Sequence, residues 1–341
     1  MRVCVQNTTT SANPNQSPVA AVCGMFMLNY MQNCAYFYQA WYNIGMADTD
    51  MDKKDSVAPI PRPEGGQAIV AEWLNNQLLE MEQHVDKDVL GIFGDITENI
   101  AIRVRLALEG MGKTKKRRKT ILIILTTRGG SIEATKTIVN TLRNFYDTVH
   151  FLVPVEAMSA GTVLVMSGDK IYMDYFSRLG PIDPQILRNE EYIPALSYLR
   201  QYEKMRERAE NGTLTRADMV LLDKLDLAEL DSIELAKDLS VFLITEWLSD
   251  YKFKDWKDKK TGLPVDKNKK KNRAREIAEK LNDQEKWFVH GHGIHMDVLR
   301  NELRLVIDDY SQDGKLKPLV WKYWWMVFDG YPSLVHSREF I

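Results

Sequence analysis

Cysteine is nearly absent from this chain: Cys4, Cys23 and Cys34 are its only three in 341 residues, all within the first tenth. No disulfide framework can therefore hold the remainder, and a reducing, cytoplasmic setting is the expectation. Charge of one sign is not in excess either. The 45 Lys and Arg stand against 47 Asp and Glu, a net charge of −2 that gives no global pull towards nucleic acid or an anionic membrane. Repeats, heptads and a dinucleotide fingerprint are missing, so nothing supports a solenoid, a coiled coil or nicotinamide chemistry. From Val3 to Ala47 there is no charged residue at all. Within it, 19–46 is rich in Met, Tyr, Cys and Ala, but Asn29, Gln32, Asn33 and Gln39 interrupt the run and only Arg2 precedes it. Peripheral or N-terminal membrane association through 19–46 stays open, beside a docking segment or an extension upstream of a start near Met51. Pro59, Pro61 and Pro63 then mark 48–66 as a linker.

What is present is more specific. Residues 120–126 (Thr-Ile-Leu-Ile-Ile-Leu-Thr) form a continuous β-branched and leucine run, the pattern of a strand buried on both faces. It leads into Arg128-Gly129-Gly130-Ser131. Two glycines let backbone N–H groups approach a ligand closely, because no Cβ intervenes. Ser131 is placed to cap a helix with apolar positions Ile132, Thr135, Ile138, Val139 and Leu142. A second unit repeats the plan: 150–155 reads as a strand, and Ser159, in Ala157-Met158-Ser159-Ala160-Gly161-Thr162, opens a small-residue helix running towards Ser167. A serine alone at a helix start is ordinarily a cap. A serine facing a diglycine turn is the pairing acyl transfer needs: a hydroxyl to attack, and amide donors for the oxyanion it creates.

These motifs resemble the Clp-protease and signal-peptide-peptidase superfamily, of crotonase-like fold, and within it the serine dehydrogenase proteinase family. The resemblance runs over 88–187 through Gly91-Ile92-Phe93-Gly94-Asp95-Ile96-Thr97, Arg128-Gly129-Gly130-Ser131, the Ser159 segment and Leu179-Gly180-Pro181-Ile182-Asp183-Pro184-Gln185. It returns more loosely at 287–305, through His290-Gly291-His292-Gly293-Ile294. The resemblance implies Ser159 as nucleophile, with the N–H groups of Gly130 and Ala160, beside Gly129, as oxyanion hole. It also implies a serine hydrolase, an endopeptidase, assembled as a homo-oligomer, with neither metal nor other cofactor. Two departures stand out. Arg128 occupies the place where relatives often carry proline, and could turn to an acidic substrate group or a neighbouring subunit. No histidine lies within 173–189, where Clp-type enzymes place theirs.

The base therefore has to come from elsewhere. The signal-peptide-peptidase branch uses a lysine some forty to fifty residues downstream, which singles out Lys204, on a helix-like run where lysines are ordinarily solvated. His290 is the second choice, from the cluster His290, His292 and His295. That cluster lacks the carboxylate or cysteine spacing of a metal site and reads more simply as an exposed turn before a closing β-α element.

The expected architecture is α/β: a core of repeated β-β-α units over 67–188, a helical insertion over 189–283, and a closing β-α element with an aromatic tail over 284–341, after the segment 1–66. Helices are expected at 67–85 and 98–109, and a first core strand at 89–94. Six basic residues in 113–119 read as a solvated turn. In 252–280, twelve Lys and Arg against five Asp and Glu, with Phe253 and Trp256 interleaved, read as a solvated, partly mobile arm, nucleic-acid binding being the minority reading. Trp321, Tyr323, Trp324, Trp325, Phe328 and Tyr331 predict docking onto the body or a subunit. The function that follows is a serine peptidase acting on peptide or protein through an acyl-enzyme on Ser159. The alternatives are a non-catalytic oligomeric or nucleic-acid-binding platform, an esterase or thioesterase with the same serine, and an α/β-hydrolase elbow.

Overall fold

In the computed structural model, residues 66–114, 116–188, 191–287, 289–330 and 334–336 are described. All fall within one compact unit, Arg62–Ile341. The uncharged segment, the linker up to residue 65, the three cysteines and Tyr331 lie outside the described residues.

The centre is a six-stranded sheet ordered β10-β5-β3-β2-β1-β11. Its strands are β1 (Asp88–Phe93), β2 (Thr120–Thr126), β3 (Thr148–Leu152), β5 (Lys170–Met173), β10 (Asp308–Asp309) and β11 (Leu334–His336). All neighbours pair in parallel except β11, which runs antiparallel to β1. Side chains alternate between two cores, as the two-residue period of a strand requires. Leu90, Ile92, Ile121, Ile123, Leu125, Val149 and Phe151 face one side, and Val89, Phe93, Leu122, Ile124 and Leu152 face the other. The apolar run of β2 is thus buried on both faces, and a three-layer α/β/α arrangement results.

On the second face lie α1 (Gly66–Val85) and α11 (Leu316–Gly330). α1 buries Leu74, Leu78 and Met81, the helical spacing seen in the sequence. The aromatic tail docks as expected: Tyr323 and Trp324 are buried, whereas Trp325 and Phe328 are exposed. Gly91 makes room for Tyr323, whose hydroxyl would collide with any Cβ there. That hydroxyl meets His336 Nδ1 at 2.8 Å, and His336 Nε2 meets Asn75 Oδ1 at 3.1 Å. Leaving such a buried group without its partner would cost about 1–3 kcal/mol.

On the first face lie α2 (Glu98–Thr114), α3 (Ile132–Phe145), α4 (Ala160–Met166), α7 (Leu227–Trp247) and α8 (Lys267–Leu281). Ser131 caps α3, its hydroxyl accepting the Ala134 N–H at 2.9 Å. The basic turn before β2 is only partly solvated. Arg118 pairs with the fully buried Asp88 at 3.2 Å, and Tyr146 donates to the same carboxylate at 2.9 Å. An unpaired buried charge there would be costly, so this turn has a structural duty.

Two expectations are corrected. The stretch after 188 is not helical at once: β7 (Gln185–Arg188) and β8 (Glu191–Pro194) pair antiparallel, with Ile186 opposite Ile193 and Leu187 opposite Tyr192. Helices α5 (Leu196–Glu210) and α6 (Arg216–Leu222) then precede α7. The basic arm is not loose either. Ala274, Ile277, Ala278 and Leu281 recur every three or four residues and bury one face of α8 in the core. Its charges sit outside in pairs such as Lys271–Glu246 at 2.6 Å and Arg275–Glu279 at 3.0 Å. Trp256 packs locally on Phe253, at 5.6 Å between ring centroids.

Candidate active site

A second, smaller sheet brings the candidate residues together. It consists of β4 (Glu156–Ala157), β6 (Arg178–Leu179) and β9 (Ile294–His295), in the order β4-β6-β9. Three distant pieces of chain meet here.

Thr127 joins the two β-turn-α units by bridging to Ala157: Thr127 N–H donates to Glu156 O and Met158 N–H to Thr127 O, both at 3.0 Å. On its other side the diglycine turn bridges to Ile96. Ile96 N–H donates to Gly129 O at 2.7 Å and Ser131 N–H to Ile96 O at 2.8 Å. In such a parallel bridge the N–H of the central residue, Gly130, points away from Ile96. The two turns converge closely. A Cβ on Gly129 would come within 2.9 Å of Ser159 Cβ and 3.5 Å of its Oγ. Both glycines hold backbone angles that side chains rarely adopt, φ +120° at Gly129 and +134° at Gly130.

Ser159 is half-buried and sits at φ +50°, ψ −119°, outside the left-handed well that polar residues occasionally visit. Its hydroxyl caps nothing on α4, although Ser159 holds the capping position. Such a conformation costs on the order of 1–3 kcal/mol and persists only where its surroundings fix it. Here the turn is pinned on both sides. Gly161 N–H donates to Met158 O and Thr162 N–H to Ser159 O, each at 2.8 Å. The buried Thr162 hydroxyl lies 2.8 Å from Ala157 O and accepts the Gly180 N–H at 2.9 Å. Ala160 is the first residue of α4, where helical N–H groups have no intrahelical acceptor and the dipole is positive.

The register of the small sheet draws in the third piece. β4 and β6 are parallel, Glu156 opposite Arg178 and Ala157 opposite Leu179, which continues to Gly180 beside Met158. A Cβ on Gly180 would indeed lie 3.2 Å from Met158 Cα. β6 and β9 are antiparallel, Arg178 opposite His295 and Leu179 opposite Ile294. Beyond the paired residues the two segments meet again: His290, in the turn before β9, has its Nδ1 2.8 Å from Asp183 Oδ1. Asp183 is buried and the His290 side chain is 13% exposed. An ionised carboxylate only accepts, so Nδ1 carries the proton and Nε2 is the nitrogen that can take another. Asp183 is the residue that sequence reasoning quoted without assigning.

The other candidates lie elsewhere. Lys204 is exposed on α5, a helix whose buried residue is Met205. It lacks the desolvation that makes a lysine a usable base. His292 packs on Trp287 at 5.4 Å, and His295 Nδ1 lies 3.2 Å from Ser177 O. A groove of about 1020 Å³ between α5, α7 and α8 reaches Asn282 and Asp283. Leu281, just before Asn282, accepts the Ile182 N–H at 3.1 Å.

Residues 107–272 match the model of the ClpP-like SDH-type serine proteinases. The match takes in Gly129, Gly130, Ser159 and Asp183 and stops short of His290. Two uncharacterized proteins of Methanocaldococcus jannaschii are similar: one is 32% identical over 166 residues, covering 44% of this chain and 54% of its own length. The other is 31% identical over 123 residues, covering 36% and 38%. The chain thus spans about half or less of the curated relatives it matches. Among solved structures it is similar to a 1510-N membrane-bound stomatin-specific protease. A serine-to-alanine mutant of that protein aligns at 14% identity and a TM-score of 0.40, over 65% of this chain and 80% of the other. A lysine-to-alanine mutant in complex with a substrate peptide aligns at 15% and 0.40, over 65% and 75%. Among the described residues of the present chain, no helix is long and apolar enough to cross a membrane.

Proposed function

We propose that this chain is a serine peptidase in which Ser159 is the nucleophile and His290, oriented by Asp183, is the base. The observation that carries the reading is the Ser159 backbone, held at φ +50° with its hydroxyl free of any capping bond, against a diglycine turn. A cap would have relaxed into an ordinary conformation, whereas a strained, half-buried hydroxyl beside unengaged amides is what nucleophilic catalysis requires.

In this reading His290 Nε2 takes the Ser159 proton as Oγ attacks the substrate carbonyl. The N–H groups of Gly130 and Ala160 receive the oxyanion, each donor contributing on the order of 10²–10³ in rate. His290 then passes its proton to the leaving amine, and water, deprotonated by the same ring, releases the acyl group. Met219, Val220, Leu221 and Leu227, all exposed on α6 and α7, form the kind of apolar surface that a second subunit covers, in keeping with a homo-oligomer.

A fluorophosphonate probe tests the nucleophile directly. Labelling of the wild-type chain that disappears in Ser159→Ala is expected. Folded protein that takes no label would favour the non-catalytic platform, and turnover of esters without peptides would favour an esterase.

A further inference from the structure

Arg128 sits where a side chain can address the residues flanking a scissile bond, since Gly129, its neighbour, lies against Ser159. Its side chain is 88% exposed. The acid nearest to it is Glu156, at 3.8 Å from Nε, beyond hydrogen-bond length. Glu156 is already engaged: Arg178 donates to its Oε2 through Nη2 at 2.7 Å and Nε at 3.2 Å. One carboxylate therefore faces two guanidinium groups, and Arg178 holds it by both donors of its fork. The remaining acids of the turn, Asp95 beside Ile96 and Glu133 bonded by the Ser131 hydroxyl at 2.9 Å, sit at the other end of the diglycine.

Resting on the serine-peptidase reading, we infer that Arg128, backed by the Arg178–Glu156 pair, forms an anion subsite at the lip of the active site. Its ligand is a carboxylate of the peptide substrate, from an acidic side chain next to the scissile bond. An ion pair at 3.8 Å with an exposed guanidinium is weak, so little opposes the turn of Arg128 towards an incoming acid. A guanidinium fork matches a carboxylate with two parallel hydrogen bonds, whereas glutamine offers one neutral acceptor. Arg178 repels a second cation, so a basic residue at the same substrate position is disfavoured.

The test uses the full chain and peptides competing with fluorophosphonate for Ser159, so that no peptide needs to be cleaved. Matched peptides carry Glu or Gln at successive positions, and a second pair ends in a free carboxylate or an amide. A Glu peptide should protect at about tenfold lower concentration than its Gln twin at low salt, and the preference should shrink at high salt. Arg128→Glu should abolish or invert that ratio. Equal protection by Glu and Gln at every position, or a preference that survives Arg128→Glu, overturns the inference while the labelled serine stands. A preference confined to the free C-terminus reassigns the carboxylate from side chain to chain end and overturns the side-chain form. Failure of the wild-type chain to label removes the peptidase reading and this inference with it.

Discussion

Asp183 and His290 are 107 residues apart in sequence and meet at 2.8 Å, on the segments that lead out of the β6–β9 pair, where Leu179 lies opposite Ile294. Asp183 is buried and the His290 side chain is 13% exposed, so the ring is held against a buried acid. Removing either member has separable consequences.

Asp183→Asn keeps the shape but lets the ring adopt the other tautomer, with its proton facing the serine. The rate of fluorophosphonate labelling should fall by about 10²–10⁴, as should that of His290→Gln, whereas Lys204→Ala should stay within twofold of wild type. Time courses of labelling by in-gel fluorescence decide the matter. A large loss for Lys204→Ala together with a normal rate for His290→Gln would reverse the assignment.

Thr162 ties the nucleophile turn to the Gly180 loop through one buried hydroxyl. Thr162→Val preserves the branched shape and leaves the Gly180 N–H without its acceptor. The expected cost is about 1–3 kcal/mol in urea unfolding, with slower labelling of Ser159 in the fraction that remains folded.

Gly129→Ala adds a methyl group 2.9 Å from Ser159 Cβ at a backbone φ of +120°. Both effects act on the reactive hydroxyl. Labelling should fall at least tenfold, and the melting temperature should drop as well. A variant that labels normally would show that the two turns are further apart than described.

His150 is buried on β3, with Nδ1 lacking a hydrogen-bond partner. Burial, then the positive charges of Lys87, Lys170 and Lys252, outweigh Asp169 and push its pKa down to about 4. An unfolded histidine binds its proton near pH 6.5, so the folded state holds the neutral ring more strongly than the unfolded chain does. The stability this contributes is complete above pH 6.5 and is lost as the pH falls towards 4. Buried His336, with a pKa also lowered to about 4 by desolvation, adds a second loss in the same window. His150→Leu should therefore flatten the acid limb of a stability-against-pH curve, by up to about 3 kcal/mol, with little change at pH 8. An acid limb as steep as that of wild type would contradict this placement.

The sequence was most legible where local physics decides. The β2 run and the Ser131 cap depend on neighbours within a few residues, and each is where periodicity and capping rules set it. Spacing failed where only register could decide. Lys204 satisfied a distance along the chain, yet α5 turns it to solvent. Asp183 had no local signal of its partner, because His290 lies 107 residues downstream, in the turn before β9. The β7–β8 hairpin was hidden for a similar reason: a polar Asn-Glu-Glu centre between short apolar pairs reads as the start of a helix until both arms are seen to pair.

The small three-stranded sheet also sets an order of events during synthesis. Ser159 leaves the ribosome together with its own strand, but the strand that follows His290 is made only after the whole helical region has been translated. On the serine-peptidase reading proposed above, a nascent or prematurely terminated chain carries the Ser159 hydroxyl without His290 to take its proton, and hydrolytic competence arrives late, when the last edge of that sheet closes.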